Sequence, residues 1–250
     1  MLTDTEKQRY LRQLRIDGFG EKAQERLKSA RVLVAGAGGL GCSASLYLAA
    51  AGIGGMRIVD QGEVELSNLN RQIAYCEGDI GAPKVEAIAR RIAGLNGGVQ
   101  VEPLHLRLDE ENLPSVVEGC GLIIDALDNL PTRYAVNKAA IRLRIPIIHG
   151  AALGFFGQVM TVVPGETPCL MCLYRNKAAP GETPVIGVAP GVIGLLQATE
   201  AVKFLTGLGR QMRGVLLVFD GLGMSFTEVE IPRDPACPHC GSAATGLLTG

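Results

Sequence analysis

The sequence predicts an α/β protein built on one mixed sheet, parallel in its front half and antiparallel in its back half. Three observations carry this reading. Short apolar runs alternate with helical patterns as far as Gly150, and a glycine-rich turn joins the first run to the first core helix. After Gly150 three strand-like runs follow with one clear helix among them, a pattern of hairpins instead of crossovers.

The elements follow in order. Residues 1–28 are charged and amphipathic, with apolar Tyr10, Leu11, Leu14, Ile16, Ala23 and Leu27, and read as one or two helices ahead of the core. Residues 31–35 form a short buried strand, and Gly36-Ala37-Gly38-Gly39-Leu40-Gly41 turns it into an apolar helix ending near Ala51. A second strand covers 56–60. This strand, glycine loop, helix, strand order opens a Rossmann-like sheet, whose ligand crevice lies beyond the carboxyl ends of the strands. A helix at 83–95, a strand at 99–104, a helix at 110–118, a buried strand at 122–125, a helix at 132–143 and a strand at 145–149 continue the alternation. The later strands are 157–163, 215–219 and 225–231, the later helix 191–205. The segment 176–183, with two alanines, Pro180 and Gly181, is the best candidate for a mobile loop. At 250 residues the chain is within the size of one domain, 1–250.

Composition narrows the function classes. A net charge of −1 with 20% charged residues offers no basic footprint for nucleic acid. The polar start lacks the apolar core of a secretory signal, and apolar stretches such as 46–51 stop short of the ~20 residues that cross a bilayer, so a cytoplasmic protein without a membrane span is expected. Seven cysteines in a reducing compartment argue against a disulfide framework. Four of them form two Cys-x-x-Cys hooks, Cys169 with Cys172 and Cys237 with Cys240, which suit a structural, four-thiolate Zn²⁺ site with no open position. His239 sits inside the second hook as a spectator, and Cys42, Cys76 and Cys120 read as packing residues.

The loop at Gly36, Gly38, Gly39 and Gly41 lets backbone N–H groups approach phosphate oxygens, and the helix N-terminus adds positive potential. Asp60, nineteen residues after Gly41, can accept ribose hydroxyls. Alone these features suit NAD as well as ATP. The following stretch favours ATP: Ser67-Asn68-Leu69-Asn70-Arg71-Gln72 supplies a guanidinium near the crevice, and Lys84 sits in the first turn of a helix, where a cation opposes the macrodipole unless an anion lies nearby. Asp128 and Asn129 follow the strand at 122–125, where Asp128 can hold Mg²⁺ or cap the helix near Thr132; Asp125 is the weaker metal candidate.

Taken together, Arg9-Tyr10-Leu11-Arg12-Gln13, the glycine loop, Asp60, residues 67–72, Gly81-Ala82-Pro83-Lys84, Asp128-Asn129 and both hooks resemble the bacterial E1-like adenylyltransferases of the ThiF, MoeB and HesA type. The resemblance covers about residues 9–241. It implies ATP-dependent adenylation of the Gly-Gly carboxylate of a small ubiquitin-like sulfur carrier, for molybdopterin or thiamine synthesis. It also implies a homodimer in which Arg12 reaches the neighbouring site. Arg12, Arg71 and Lys84 would then meet phosphate charge, Asp128 would hold Mg²⁺, Asp60 the ribose, and Ser67, Asn68 and Asn70 would orient nucleotide or carrier tail. Thiamine-pathway and eukaryotic relatives often carry a loop cysteine that forms a covalent adduct. Residues 176–190 contain none, and Glu182 lies near its expected place, which implies adenylation only, with a separate sulfur donor, and favours the molybdopterin type. Three rivals are an NAD-dependent oxidoreductase, a tRNA-modifying cyclodehydratase that also activates a carboxylate with ATP, and a non-catalytic zinc-bearing nucleotide sensor.

Overall fold

The structure is a computed structural model describing residues 1–175 and 184–241; the expected mobile loop at 176–183, with Glu182, lies outside the described residues. Eight strands make one sheet in the order β3-β2-β1-β4-β5-β6-β7-β8. Strands β1 (Arg31–Ala35), β2 (Gly55–Asp60), β3 (Gln100–His105), β4 (Leu122–Asp125) and β5 (Ile147–Leu153) are parallel. Strands β6 (Phe156–Val162), β7 (Val215–Asp220) and β8 (Ser225–Glu230) join them antiparallel. The change of direction falls where the crossover helices stop, as the sequence predicts. Strand β5 runs past Gly150 because it folds directly onto β6 in a hairpin that pairs Leu153 with Phe156.

Alternation along each parallel strand sorts side chains into two cores. Val32, Val34, Met56, Ile58, Leu122, Ile124 and Ile148 face one helix layer, made by α4 (Gly39–Ala51), α5 (Lys84–Leu95) and α9 (Val188–Thr206). Leu33, Ala35, Val59, Ile123 and Ile147 face the other, made by α6 (Leu113–Val116), α7 (Leu130–Leu143) and α8 (Leu170–Tyr174). Burial on both faces is why these strands read as continuous apolar runs. Helix α9 is long and apolar enough by composition to cross a membrane, yet it packs on α4, β5 and β6, with Gln197 and Glu200 buried inside the protein.

Three helices, α1 (Asp4–Arg9), α2 (Leu11–Leu14) and α3 (Gly20–Ser29), replace the one or two expected at the start. Gly18, just before α3, and Gly20, its first residue, both have positive φ and break the segment there. Helix α6 is far shorter than the expected 110–118. Asp109 and Asn112 clasp each other's backbone in a side-chain turn ahead of it, and Gly119 at φ +74 follows it. Helix α9 begins three residues before the expected 191, since Pro190 fits within a first turn. The five-residue α8 is too short for helical periodicity to reveal.

Candidate nucleotide site and cysteine cluster

The order β2-β1-β4 places the crevice at the carboxyl ends of β1 and β4, where the chain direction of the winding reverses. The glycine loop lies there. Gly36 has φ +100, and a side chain on it would meet the Ala126 carbonyl at 2.6 Å; one on Gly41 would come within 1.9 Å of the Gly36 carbonyl. Loop, first turn of α4 and the residues after β4 are therefore in backbone contact. The buried Tyr75 hydroxyl donates to the Ala37 carbonyl at 2.7 Å and fixes the loop from behind. No side chain caps the N-terminus of α4, so its first N–H groups are available to an anion.

Asp60 closes the loop on the β2 side. Its Oδ2 accepts the Ala37 N–H at 2.8 Å and its Oδ1 the Gly62 N–H at 2.7 Å. A carboxylate has about four acceptor positions, so two remain for hydroxyl groups. The Lys84 ammonium and the Asp60 carboxylate both border Gly62, within 3.3 and 3.1 Å of the position its Cβ would take. Lys84 heads α5, whose N-terminus also lacks a side-chain cap. The Arg71 backbone lies against Gly39, and its guanidinium donates to the Ser67 carbonyl at 2.8 Å and to Asn70 Oδ1 at 2.9 Å. Among the described residues, no ion pair involves Arg71, Lys84, Arg12 or Asp128.

Several predicted residues do local structural work here. Asn68 is buried, and its Oδ1 accepts the Glu65 N–H at 3.2 Å in a 3₁₀ turn; Leu69 is half-buried against the core. Asn129 is the helix cap: its Oδ1 accepts the Thr132 N–H at 3.0 Å, leaving Asp128 exposed and free of that duty. Asp125 is fully buried in an ion pair with Arg133 at 3.3 Å and a hydrogen bond from His149 at 2.7 Å, which removes it as a metal ligand. Burial alone would raise its carboxyl, but the Arg133 guanidinium and His149 hold it below the usual carboxylate range. Burial lowers His149 despite Asp125, and pushes the Tyr174 hydroxyl up to about 12. The chain Asp125, His149, Tyr174 was not expected; its one signal in the sequence was a histidine closing the apolar strand expected at 145–149.

Arg12 is not brought to this site within its own chain. It is exposed on α2, and the neighbouring Tyr10 and Gln13 contact Asn96 and Ala51 at the far end of α4. A helix of 13 residues is about 20 Å long, so α2 sits at the end of the sheet opposite the glycine loop.

Across the sheet, the four hook thiols gather with all Sγ atoms within 4.8 Å of one another, all buried. Cys169 and Cys237 are 3.7 Å apart and Cys172 and Cys240 3.5 Å apart. Thiolates at ~2.3 Å around a tetrahedral ion are separated by about 3.8 Å, so the cluster fits a tetrahedral metal. Asn137 of α7 joins the hooks, its Oδ1 accepting the Leu170 N–H at 3.0 Å and its Nδ2 meeting His239 Nδ1 at 2.7 Å. His239 stays outside the four-thiol cluster, as expected, and its ring ties the second hook to α7. Cys42 and Cys120 are buried as expected, whereas Cys76 is exposed.

Comparison with known proteins gives the same picture. The chain is 42% identical to the sulfur carrier protein adenylyltransferase of Thermus thermophilus, over 97% of this chain and 94% of that one. It is 39% identical to the molybdopterin-synthase adenylyltransferase of Salmonella typhimurium, over 96% and 98%. Among solved structures, Escherichia coli MccB with ATP superposes with a TM-score of 0.77 at 26% identity, over 88% of this chain and 69% of that one. The ThiF family model matches residues 10–239, and the chain belongs to the ThiF family.

Proposed function

We propose that this protein is an adenylyltransferase that activates the C-terminal Gly-Gly carboxylate of a ubiquitin-like sulfur-carrier protein with ATP, in a cytosolic pathway of the molybdopterin type. The observation that carries it is electrostatic: Arg71 and Lys84, which form no ion pair among the described residues, flank an uncapped helix N-terminus at a glycine loop. A dinucleotide needs two phosphates accommodated there; a polyphosphate leaving group needs these cations as well. A carrier carboxylate oxygen attacks the α-phosphorus, the bond from α-phosphorus to the bridging oxygen breaks, and pyrophosphate departs with the electron pair. The nucleophile is already ionised, so the protein supplies position and charge in place of a base. Arg71 and Lys84 meet the phosphates, Asp60 the ribose, and Asn70 holds Arg71 in place.

Asp128 would hold Mg²⁺, which when bound offsets phosphate charge. We assign Zn²⁺ to the four thiolates as a structural ion, and Arg12 of the partner subunit to the phosphates across a homodimer. Residues 1–250 act as one adenylation unit that hands its acyl-adenylate to a separate sulfur donor. The test is ATP–pyrophosphate exchange with Gly-Gly-ended carriers and Mg²⁺. Exchange is expected with one of them, and Lys84→Ala or Asp128→Ala should abolish it with hook metal content intact. Nucleotide binding without exchange for every carrier would leave the sensor reading in its place.

A further inference from the structure

A polar chain, half-buried at Gln158 and Tyr174 and buried at His149, Asp125 and Arg133, leads from the cysteine cluster to the Asp128 loop, and none of its members contacts the nucleotide in the reading above. It starts on α8, two residues beyond Cys172. Gln158 Nε2 donates to the Tyr174 hydroxyl at 2.7 Å, the hydroxyl meets His149 Nε2 at 2.8 Å, and His149 Nδ1 meets Asp125 Oδ2 at 2.7 Å. These bonds share one direction when the imidazole is neutral with its proton on Nδ1, the form its burial favours. Beyond Asp125 the chain grips backbone. Asp125 Oδ1 accepts the Leu127 N–H at 3.2 Å, while Arg133 Nη2 donates to the Leu127 carbonyl and, at 2.8 Å, to the Gly150 carbonyl. Both polar groups of Leu127 are therefore clasped, and the peptide that leads into Asp128 is fixed in orientation.

Stability alone gives no reason for this arrangement, because a buried ion pair is commonly no better than apolar residues of the same volume. Position does: Asp128 is exposed, has no ion pair among the described residues, and directly follows the Leu127 peptide that this clasp holds. We propose that Tyr174, His149, Asp125 and Arg133 are positioning residues, which transmit the placement of the cysteine-hook helix to the Leu127–Asp128 peptide and so set Asp128 for its cation. The inference rests on the reading of Asp128 as the Mg²⁺ ligand.

The experiment is Mg²⁺ titration of ATP–pyrophosphate exchange on the metal-loaded protein. Tyr174→Phe keeps the ring and removes the hydroxyl; His149→Gln cannot bond both neighbours as the imidazole does. Each is expected to raise the Mg²⁺ concentration for half-maximal exchange by roughly tenfold, the usual effect of removing a group that orients a ligand. Hook metal content and nucleotide binding without Mg²⁺ should stay at wild-type levels. A role in packing alone would lower the melting temperature and leave the Mg²⁺ midpoint in place. Unchanged midpoints in both variants, beside a shifted midpoint in Asp128→Asn, would overturn the inference and spare the parent reading; an unshifted Asp128→Asn would remove both. Should His149→Gln fail to fold, Tyr174→Phe decides.

Discussion

At the residue scale, several candidate side chains are spent on holding local backbone. Gly36 and Gly41 admit no side chain without displacing backbone, so packing of the loop by itself dictates their identity. Asn129 and Asn68 were legible as polar residues near the crevice, but their side chains turn out to be consumed by local backbone. Spacing could not show this, since capping and ligand binding draw on the same residue types. His149 gives a prediction in pH. It faces Asp125 on β4, Arg133 on α7 and Tyr174 on α8, and is fully buried. Burial holds the folded imidazole below its ordinary value of about 6.5, so below that pH the unfolded chain binds the extra proton and stability falls as pH falls. One such group contributes a slope of up to about 1.4 kcal/mol per pH unit. Urea unfolding between pH 7 and 5 should show this decline in the wild type. His149→Gln should flatten it by that amount, whatever its own midpoint.

At the element scale, the parallel half of the fold was legible because strands buried on both faces are unbroken apolar runs and their helices carry a 3.6-residue stripe. Helix α5 is the clear case, with Val85, Ala87, Ile88 and Ile92 inward. Helix α8 was not legible, and with it the polar chain through Tyr174. Five residues overlapping a cysteine hook carry no period, and only tertiary contact with His149 gives them meaning. The gathering of the two hooks into one four-thiol cluster was legible from spacing, though not that Asn137 of α7 would bind both together. The cluster joins α8 to the segment after β8, whose own strand is exposed along its length and has few other anchors. Metal removal should therefore loosen this end of the sheet first. Cys240→Ser is expected to lose one metal ion per chain and to cost about 3 kcal/mol or more in unfolding free energy. Hydrogen exchange should rise in β7, β8 and α8 before it rises in β1 and β4.

At the scale of the whole molecule, Arg12, proposed above to act across a dimer, lies far from the other candidate residues of its own chain. Arg71, Lys84, Asp60 and Asp128 converge at the carboxyl ends of the strands, and Arg12 sits at the other end of α4, exposed and without an ion pair among the described residues. A single chain cannot bring a side chain across about 20 Å of packed helix without unmaking α2 and α3. A twofold dimer can, since each subunit then lends its Arg12 to the other's site. The arrangement has a consequence that a surface arginine would not share. Arg12→Ala and Lys84→Ala should each abolish ATP–pyrophosphate exchange alone. Mixed and allowed to re-equilibrate, they form heterodimers in which one site combines an intact Lys84 with an intact Arg12 from the neighbour, and the other site lacks both. Random pairing makes half the dimers mixed, so roughly a quarter of wild-type exchange should return. If Arg12 acts within its own chain, the mixed dimer holds one site without Arg12 and one without Lys84, and no exchange returns at any mixing ratio.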